Sequence, residues 1–335
     1  MKIALIGATG LVGRMITTVL EESKYIPITA ISEFIPVASA KSVGSDIHFH
    51  NRNYKIKSMA EALSLNPDVA LFSAGSEVSR EFAPAFAAQG CFVIDNSSAW
   101  RNDEEIPLVV PEVNAHTITG EQRIIANPNC STIQLVAVIA PLHRKYHIRR
   151  LVISTYQSVT GTGAKAVQQL ENERRGIKGS RVYPHPIDLN LFPHGGTFLP
   201  NGYTTEEMKL VNETRKIMQS PQLHITATVV RVPVTGGHSE AVNIQFDQPF
   251  EMDELLKTIE SSTGVVLQDD IDRAVYPMPQ LAQGRDEIFV GRVRRDDTLE
   301  FGINLWIVAD NLRKGAATNA VQIAAILLNN ELLKA

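Results

Sequence analysis

A string of three glycines near the start of the chain constrains the fold more than any other feature. Gly7, Gly10 and Gly13 directly follow the apolar run at residues 3–6 and open the helix-period stretch at residues 11–22. In this context the glycines allow a tight turn and a close approach of the backbone to a pyrophosphate, which binds at the helix N-terminus. A glycine turn between a strand and a helix also occurs without a ligand, but the complete pattern favours a dinucleotide site.

The pattern of apolar residues divides the 335-residue chain into two parts, each long enough for a lobe of its own. In the first part, apolar runs at 69–73 and 92–94 alternate with amphipathic stretches such as 78–89, which is typical of βαβ units. A helical run at 133–142 follows. Beyond it, alternating strand-like segments predict a mixed or antiparallel sheet; they lie at residues 151–158, 224–233, 241–246, 287–294 and 299–308. We therefore predict an α/β protein with an N-terminal Rossmann-like dinucleotide-binding domain and a second, α+β domain.

Two further segments indicate how the chain is organised. Residues 174–202 are rich in Pro, Gly, His and Asn and predict a long ordered loop, of the kind that carries function or subunit contacts. Residues 314–333 carry Ala, Ile and Leu at helical spacing and predict a terminal helix that packs back on the first lobe. The expected domains are thus residues 1–127 together with a C-terminal helix at 314–335, and residues 128–313.

The composition excludes several classes of protein. A formal net charge of -4 offers no overall attraction to nucleic acid or to an anionic membrane. No segment approaches the roughly 18 apolar residues of a membrane span, and the first residues enter a strand pattern without a signal-peptide layout. Cys91 and Cys130 lie far apart without a CxxC or Cys/His neighbour, which argues against disulfides and structural zinc. We expect a cytoplasmic protein without a metal and without nucleic-acid or membrane partners.

Two residues compete for the position that reads the adenosine ribose of a dinucleotide. Glu33 lies about 20 residues beyond the glycines, where an acid accepts from a ribose 2′-OH and favours NAD. Residues 34–38 make the better second strand, however, and this strand delivers Ser39, Lys41 and Ser42 to the cofactor crevice instead. A cation with two hydroxyls suits a 2′-phosphate. The sequence therefore favours NADP over NAD.

Cys130 is the candidate nucleophile. It stands between Asn129 and Ser131, directly before the apolar helix at 133–142. The positive end of a helix dipole and the free N–H groups there stabilise a thiolate, and the same groups can hold an oxyanion. Most cysteines are small core residues, as we expect of Cys91, but the polar residues before Cys130 argue against a core position.

Two segments of the second lobe carry the other candidate groups. Residues 231–240 bring Arg231, a glycine pair and His238 into one strand-to-loop segment. A histidine near a thiolate is the usual partner for acid/base work at neutral pH, although a lone histidine is more often structural. Residues 157–163 end a strand in a second glycine turn, which directs the polar groups of Gln157 and Thr160 toward a cleft or forms an ordinary turn.

Taken together, these segments resemble the bacterial-type aspartate-semialdehyde dehydrogenases, and the resemblance runs nearly from end to end. Single pieces are loose motifs, but their order and spacing are specific; they are residues 7–13, 95–101, 109–114, 127–132, 157–163, 202–209, 231–240 and 311–322. The resemblance implies a glyceraldehyde-3-phosphate-dehydrogenase-like fold, with NADP bound by residues 1–127 and 314–335 and with catalysis and dimerisation in residues 128–313. It also implies a homodimer.

The implied reaction is the reduction of L-aspartyl 4-phosphate by NADPH to aspartate semialdehyde and phosphate, on the route to diaminopimelate, lysine, threonine, methionine and isoleucine. Its residue roles come from the resemblance. Cys130 is the acyl-thioester nucleophile, His238 the acid/base and Gln157 the residue that orients the thioester. The residues implied to bind the substrate are Arg231 for the α-carboxylate, Glu206 for the amino group, Arg101 and Lys209 for the phosphate, and Asn129. Glu206 and Lys209, three apart at a helix start, would otherwise be interpreted as a surface ion pair.

The residues expected to line NADP combine the glycine turn with positions implied by the resemblance. They are Gly7, Thr9, Gly10, Leu11, Val12, Gly13, Ser39, Lys41, Ser42, Thr160, Gly161 and Asn319. Lys41 stands where many relatives carry arginine, which weakens the bidentate argument for a 2′-phosphate and leaves dual cofactor use open. The segment 192–197 also departs from the family pattern and is given no role.

Two other functions stay open at this point. N-acetyl-γ-glutamyl-phosphate reductase shares the two-lobed plan, the Cys/His pair and the acyl-phosphate chemistry, but its cysteine motif differs and its acetylated substrate does not call for Glu206. The other alternative is a non-catalytic NADP-binding relative that kept the fold. The joint presence of Cys130, Gln157, Arg231 and His238 argues against it.

Overall fold

The computed structural model describes residues 1–333, and these form two compact units. The first unit comprises Met1–Asn129 together with the C-terminal stretch that starts at Ala316. The second unit comprises Cys130–Gly315. The last two residues of the helix predicted at 314–335 lie outside the described residues.

The first unit is built on a parallel sheet. Its strands are β1 (Lys2–Ile6), β2 (Glu33–Val37), β3 (Asp46–Phe49), β4 (Arg52–Lys55), β5 (Val69–Phe72), β6 (Phe92–Asp95) and β7 (Ile124–Ala126). Five of them pair in parallel in the order β2-β1-β5-β6-β7, while β3 and β4 form a separate antiparallel hairpin. The order reverses at β1, which lies between β2 and β5, and ligands of such sheets bind at the carboxyl ends of the strands at this switch point.

The second unit is built on a mixed sheet, as the sequence predicted. Its strands are β8 (Ile148–Gln157), β9 (His224–Arg231), β10 (His238–Phe246), β11 (Val265–Leu267), β12 (Ile288–Asp296) and β13 (Gly302–Ala309). They pair in the order β11-β12-β13-β10-β8-β9, and only the pairs β11–β12 and β8–β9 of the described sheet are parallel.

The α-helices of the described residues flank these sheets. They are α1 (Leu11–Glu21), α2 (Met59–Ser64), α3 (Ser76–Ala88), α4 (Pro111–Asn114), α5 (Cys130–Tyr146), α6 (Ala164–Arg174), α7 (Thr205–Ile217), α8 (Met252–Glu260), α9 (Pro279–Ala282) and α10 (Thr318–Asn329). In the first unit, Ile3 and Leu5 of β1 pack in one core with residues of α1 and α10, while Ala4 and Ile6 pack with residues of α3 on the other face. This two-sided burial explains the continuous apolar run of β1.

Helix α5 is the central helix of the second unit. It packs against β8, β10, β12 and β13 and also contacts α7 and α8. Residues 131–140 are all buried, which agrees with a helix that is apolar around most of its surface. The helix thereby carries its first residue, Cys130, into the unit at a fixed position.

The predicted long loop lies between α6 and α7, and the C-terminal helix is shorter than predicted. A π-helical turn at Arg313–Ala317 precedes α10, which ends at Asn329 instead of continuing through residue 333. Glu331 adopts a positive φ of 55°, and the N–H groups of Leu332 and Glu331 bond back to the carbonyls of Leu327 and Leu328. This is a Schellman C-cap, which stops the helix although good helix formers follow.

Among residues 1–333 no helix is both long enough and apolar enough to cross a membrane. Within the same range, no group of three or more His, Cys, Asp or Glu side chains is arranged to hold a metal ion.

Candidate active site

The glycine turn of the first unit depends on glycine for its packing. Gly7 has a φ of 86°, and a Cβ atom there would lie 2.5 Å from the carbonyl oxygen of Ser73. A Cβ atom at Gly13 would lie 2.2 Å from the carbonyl oxygen of Gly7. The N–H of Gly7 donates to the carbonyl of Val37 at the end of β2. Glycine is therefore required for α1 to start directly against the ends of β1 and β2.

The same turn leaves backbone groups open for a ligand. Thr9 and Gly10 are exposed, and Gly10 precedes α1 without a side-chain hydrogen bond from the described residues to cap the helix. Gly75, which precedes α3 beyond the neighbouring strand β5, has open space within 4 Å of where a Cβ would stand, as far as the chain is described. Uncapped N–H groups at a helix N-terminus, next to a second glycine turn, fit a pyrophosphate.

The two candidates for the ribose lie at opposite ends of β2. Glu33 begins β2 and pairs with Lys2 at the start of β1, so it lies at the opposite end of the strand from the glycine turn. Ser39 and Lys41 are exposed and Ser42 is half-buried, and all three follow the carboxyl end of β2. Because the ligand site of a parallel sheet lies at the carboxyl ends, the structure favours the segment with Lys41 over Glu33.

Three other predicted residues of the first unit are buried. Arg101 donates from Nη2 to the carbonyl of Asn96 at 2.7 Å. Asn319 donates from Nδ2 to the carbonyl of Val109 at 2.9 Å and to Oδ1 of Asn127 at 2.7 Å, so this amide group is fixed inside the unit. Asn129 is the last residue of the first unit before Cys130, and it too is buried.

Cys130 and Cys91 occupy contrasting positions. Cys130 is the first residue of α5 and is half-buried, which agrees with a thiol at a helix N-terminus that a substrate can reach. A Cβ atom on Gly315 would lie 2.8 Å from Cβ of Cys130, so glycine at this position makes room for the Cys130 side chain. Cys91 is buried before β6, and burial raises the pKa of its thiol far above the ordinary value. Only Cys130 has the setting of a nucleophile.

The strand directions of the second sheet bring Gln157, Arg231 and His238 to the same end of three neighbouring strands. Gln157 ends β8 and Arg231 ends β9, and the two are partners in the parallel register. His238 begins the antiparallel strand β10 beside β8. Residues far apart in sequence thus end within one side-chain cluster.

His238 is fully buried and held in one tautomer. Its Nδ1 accepts a hydrogen bond from the N–H of Ser158 at 3.1 Å, which places the ring proton on Nε2. Nε2 has no hydrogen-bond partner within residues 1–333. Burial, and then the charge of Arg231, lower the pKa of His238 to about 3, while Glu206 opposes the shift. The imidazole is therefore neutral at physiological pH, with an Nε2–H available to a ligand.

Arg231 places a buried cation next to this imidazole. Its Nη1 donates to the carbonyl of Ser158 at 2.8 Å, and its Nε has no partner among the described residues. The backbone of Arg231 pairs with Phe192 of the long loop, with N···O distances of 2.9 and 3.2 Å. A buried N–H without an acceptor is costly, so the guanidinium is set up to receive an anionic group.

Glu206 and Lys209 lie in the first turns of α7, whose start is fixed by a capping box between Thr204 and Glu207. Nζ of Lys209 lies 2.7 Å from Oε2 of Glu206. The ion pair that the sequence allowed is therefore present. It is not on an open surface, because the Glu206 side chain is only 14% exposed and its charge acts on His238.

The end of β8 and the turn that follows it contribute further contacts to the cluster. Gln157 is buried and donates from Nε2 to Oγ of Ser131 at 3.1 Å. Oγ1 of Thr160 donates to Oδ1 of Asn311 at 3.0 Å, so this hydroxyl bonds within the second unit. A Cβ atom on Gly161 would lie 2.9 Å from Nε2 of His238.

Several residues that the sequence analysis did not single out support this site. Ser158 holds both His238 and Arg231 through its backbone, and Ser131 bonds Gln157. A backbone contact leaves no signal in residue type, and a serine beside a candidate nucleophile has no distinctive spacing. Gly315 was detectable only as a glycine within the segment 311–322.

Comparisons with known proteins show a family resemblance over the whole chain. Residues 2–121 match the semialdehyde dehydrogenase NAD binding domain, and residues 139–314 match the semialdehyde dehydrogenase dimerisation domain. Aspartate-semialdehyde dehydrogenases from Aquifex aeolicus and Legionella pneumophila are 44% and 45% identical to the chain; the alignments cover 99% and 100% of it, and 99% and 97% of the relatives.

A solved structure agrees as well. Aspartate semialdehyde dehydrogenase II from Vibrio cholerae, complexed with ASA, is 40% identical, with a TM-score of 0.93 and 98% of each chain covered. The near-complete coverage excludes a match confined to the nucleotide-binding fold. The chain belongs to the aspartate-semialdehyde dehydrogenase family.

Proposed function

We propose that the chain reduces L-aspartyl 4-phosphate to L-aspartate 4-semialdehyde and phosphate with NADPH, through a thioester on Cys130. The observation that carries the proposal is that two groups of opposite charge, Arg231 and Glu206, act on the buried imidazole of His238. Arg231 offers an N–H that has no acceptor among residues 1–333, and Glu206 offers a partly buried carboxylate. A substrate with an α-carboxylate and an α-ammonium group matches both charges, whereas an N-acetylated substrate matches only one.

The first step takes place at Cys130. Its thiolate, favoured by the N-terminus of α5, attacks the acyl carbon, a C–S bond forms, and the C–O bond to phosphate breaks with its electron pair on phosphate. We assign the departing dianion to the cations Arg101 and Lys209, and the positioning of the carbonyl to Asn129 and Gln157. The result is an electrophilic thioester and free phosphate.

The second step reduces the thioester. NADPH, when bound, supplies the hydride for this carbon. His238 places its Nε2–H toward the acyl oxygen, which gains negative charge as the carbon is reduced, and a hydrogen bond from a neutral imidazole stabilises that charge. Nε2 of His238 is thus the site at which the acyl oxygen gains or loses its proton. When the reduced thioester adduct then collapses to the aldehyde, its C–S bond breaks and the Cys130 thiolate is released.

The first unit supplies residues that fit the dinucleotide. We assign the pyrophosphate to the turn at Gly7, Thr9 and Gly10 and the first residues of α1, including Leu11, Val12 and Gly13. We assign a 2′-phosphate to Ser39, Lys41 and Ser42, which follow the carboxyl end of β2. Thr160, Gly161 and Asn319 remain proposed contacts of the cofactor. In this scheme residues 1–127 and 314–335 bind NADP, residues 128–313 carry catalysis, and a homodimer forms through the dimerisation domain.

The reverse reaction tests the proposal. The protein should form NADPH from L-aspartate 4-semialdehyde and NADP only when phosphate is present, and at least about tenfold more slowly with NAD, the cost of one charge-assisted contact. N-acetylglutamate 5-semialdehyde should be a poor substrate. Turnover without phosphate, or a preference for the acetylated aldehyde, would refute the assignment.

A further inference from the structure

The long loop between α6 and α7 takes no part in this mechanism, although its backbone contacts Arg231. Residues 182–192 of this loop, which we call the inner loop, contain no helix and no strand of a sheet. The N–H groups of such a segment have no regular backbone partners and need other acceptors. Side chains of α6 supply several of them.

Two side chains of α6, one helical turn apart, bond the inner loop. Gln169 is 2% exposed, and its Oε1 accepts from the N–H groups of Val182 at 2.6 Å and Tyr183 at 3.0 Å. Oε2 of Glu173 accepts from the N–H groups of residues 187 and 188, at 2.7 and 2.9 Å. Nε2 of Gln169 donates to Oε1 of Glu173 at 2.8 Å, which keeps the Gln169 oxygen turned toward the loop. The path of the inner loop is therefore set by α6.

The inner loop reaches Arg231 at two points. Near its start, Oη of Tyr183 donates to Oγ1 of Thr162 at 2.8 Å. Thr162 ends the short turn that begins after Ser158, whose carbonyl accepts from Nη1 of Arg231. At its end, Phe192 exchanges two backbone hydrogen bonds with Arg231. The loop thus bonds the main chain of Arg231 directly and its guanidinium through one turn.

These two points are also in contact with each other. The rings of Tyr183 and Phe192 meet edge to face with their centroids 5.3 Å apart, in a small apolar cluster with residues of α6. Because β9 is an edge strand of the described sheet, Phe192 takes the place of a neighbouring strand at Arg231. A shift of the loop at Tyr183 would therefore be passed to the backbone of Arg231.

We propose that Gln169 and Tyr183 are positioning residues that act through the inner loop to hold Arg231 in the geometry that selects a substrate α-carboxylate. Two parallel hydrogen bonds from a guanidinium require both its position and its orientation to be fixed. The bond to Phe192 fixes the backbone, and the bond from Tyr183 fixes the turn that orients the guanidinium. This inference rests on the proposed function, because the geometry of Arg231 matters only if the substrate carries a carboxylate.

Two substitutions release the inner loop to different extents. Gln169→Leu leaves two N–H groups of the loop without their acceptor, and Tyr183→Phe removes only the hydroxyl that bonds Thr162. We expect kcat/KM for L-aspartate 4-semialdehyde to fall at least about tenfold in the first and about fivefold in the second, while KM for NADP changes less than about twofold. The control is Tyr203→Phe, which removes a hydroxyl 2.9 Å from that of Thr226 on β9, outside the inner loop, and should leave kcat/KM unchanged.

A double-mutant cycle with Arg231→Lys separates positioning from general damage. If the loop acts through Arg231, Gln169→Leu should lower kcat/KM by less than about a further twofold once lysine stands at position 231. If Gln169→Leu does not fold, Tyr183→Phe takes its place in the cycle. Equal losses in both backgrounds would show a merely structural role and would overturn the proposal, as would unchanged kcat/KM in both loop variants.

Amide hydrogen exchange without substrates adds a readout that does not depend on turnover. The N–H of Arg231 donates to the carbonyl of Phe192 at 2.9 Å, so it should exchange at least about tenfold faster in Gln169→Leu than in the wild type or in Tyr203→Phe. An unchanged exchange rate would also overturn the proposal. A wild type without phosphate-dependent turnover would refute the proposed function instead, and the exchange rate would still test the link between Gln169 and Arg231.

Discussion

Gly161 separates the backbone turn after β8 from the imidazole of His238, so adding one methyl group there should disturb the reacting centre. In Gly161→Ala the new Cβ atom would lie 2.9 Å from Nε2 of His238 and 3.2 Å from Nη1 of Arg231, whereas ordinary contacts begin at 3.4 Å. His238 is fully buried and held by the N–H of Ser158, so the ring must move by about 0.5 Å, the difference between the first and last of these distances. If a misplacement of about 1 Å costs on the order of 100-fold, kcat should fall roughly tenfold, or about 1.4 kcal/mol.

The assay is phosphate-dependent NADPH formation at saturating semialdehyde, together with a thermal unfolding curve. Gly302→Ala is the matched control, because its Cβ would lie 2.8 Å from Cβ of Leu299 and would overpack the start of β13 without touching His238 or Arg231. Both variants should lose about 1–3 kcal/mol of stability, but only Gly161→Ala should lose kcat. Equal kcat in the two variants would show that the space around Nε2 of His238 is not needed for turnover.

The other predictions concern the roles of single side chains. Cys130→Ser should lose at least about 10³-fold in kcat and still bind NADP, whereas Cys91→Ser should stay active; equal losses would overturn the assignment of the nucleophile. Lys41→Glu should raise KM for NADPH and reduce the preference for NADPH over NADH by about tenfold, and an unchanged ratio would mean that other residues select the cofactor. Arg231→Lys keeps the charge but not the paired hydrogen bonds, so kcat should fall and KM for the semialdehyde should rise, each by up to about 100-fold, with little change in NADP binding. A main effect on NADP binding would instead place Arg231 in the cofactor site. Because the pKa of His238 is lowered to about 3, the ring of His238 is neutral in the free enzyme from pH 5 to 9. The pH profile of kcat/KM should therefore contain no step near pH 6.5 that is present in the wild type and absent from His238→Asn.

The strands were predictable where burial alone decides them. The run at residues 3–6 is continuous and apolar because both faces of β1 are covered, and the structure extends it by one residue to Lys2–Ile6. The strand predicted at 241–246 begins earlier, at His238, because β8 and β13 pair with its polar first residues. Hydrogen bonds from neighbouring strands therefore extended β10 over residues that local pattern does not assign to a strand.

The hairpin of β3 and β4 shows what the sequence analysis missed. The alternation of apolar and polar residues does not predict this hairpin, because only Ile47, Phe49 and Tyr54 of its residues turn apolar groups inward. Its turn consists of His50 and Asn51, both with positive φ, in place of the Asn-Gly or Asp-Gly pair that announces such turns. The hairpin is held by Phe49, whose ring stacks on that of Phe34 at 4.2 Å, and this tertiary contact has no local signature.

The sequence could propose which side chains react, but it could not give their charge states, and the charge states decide the chemistry. The sequence offered His238 as a general acid/base with an ordinary pKa; whether it acts so depends on Ser158, eighty residues away, whose N–H keeps Nδ1 an acceptor. With the proton on Nε2, the neutral ring can donate to an oxygen but cannot also take the thiol proton there without breaking that bond. Activation of Cys130 must then come from the N-terminus of α5, which is present before any substrate binds. The fold thus sets the protonation state of His238 before the reaction begins.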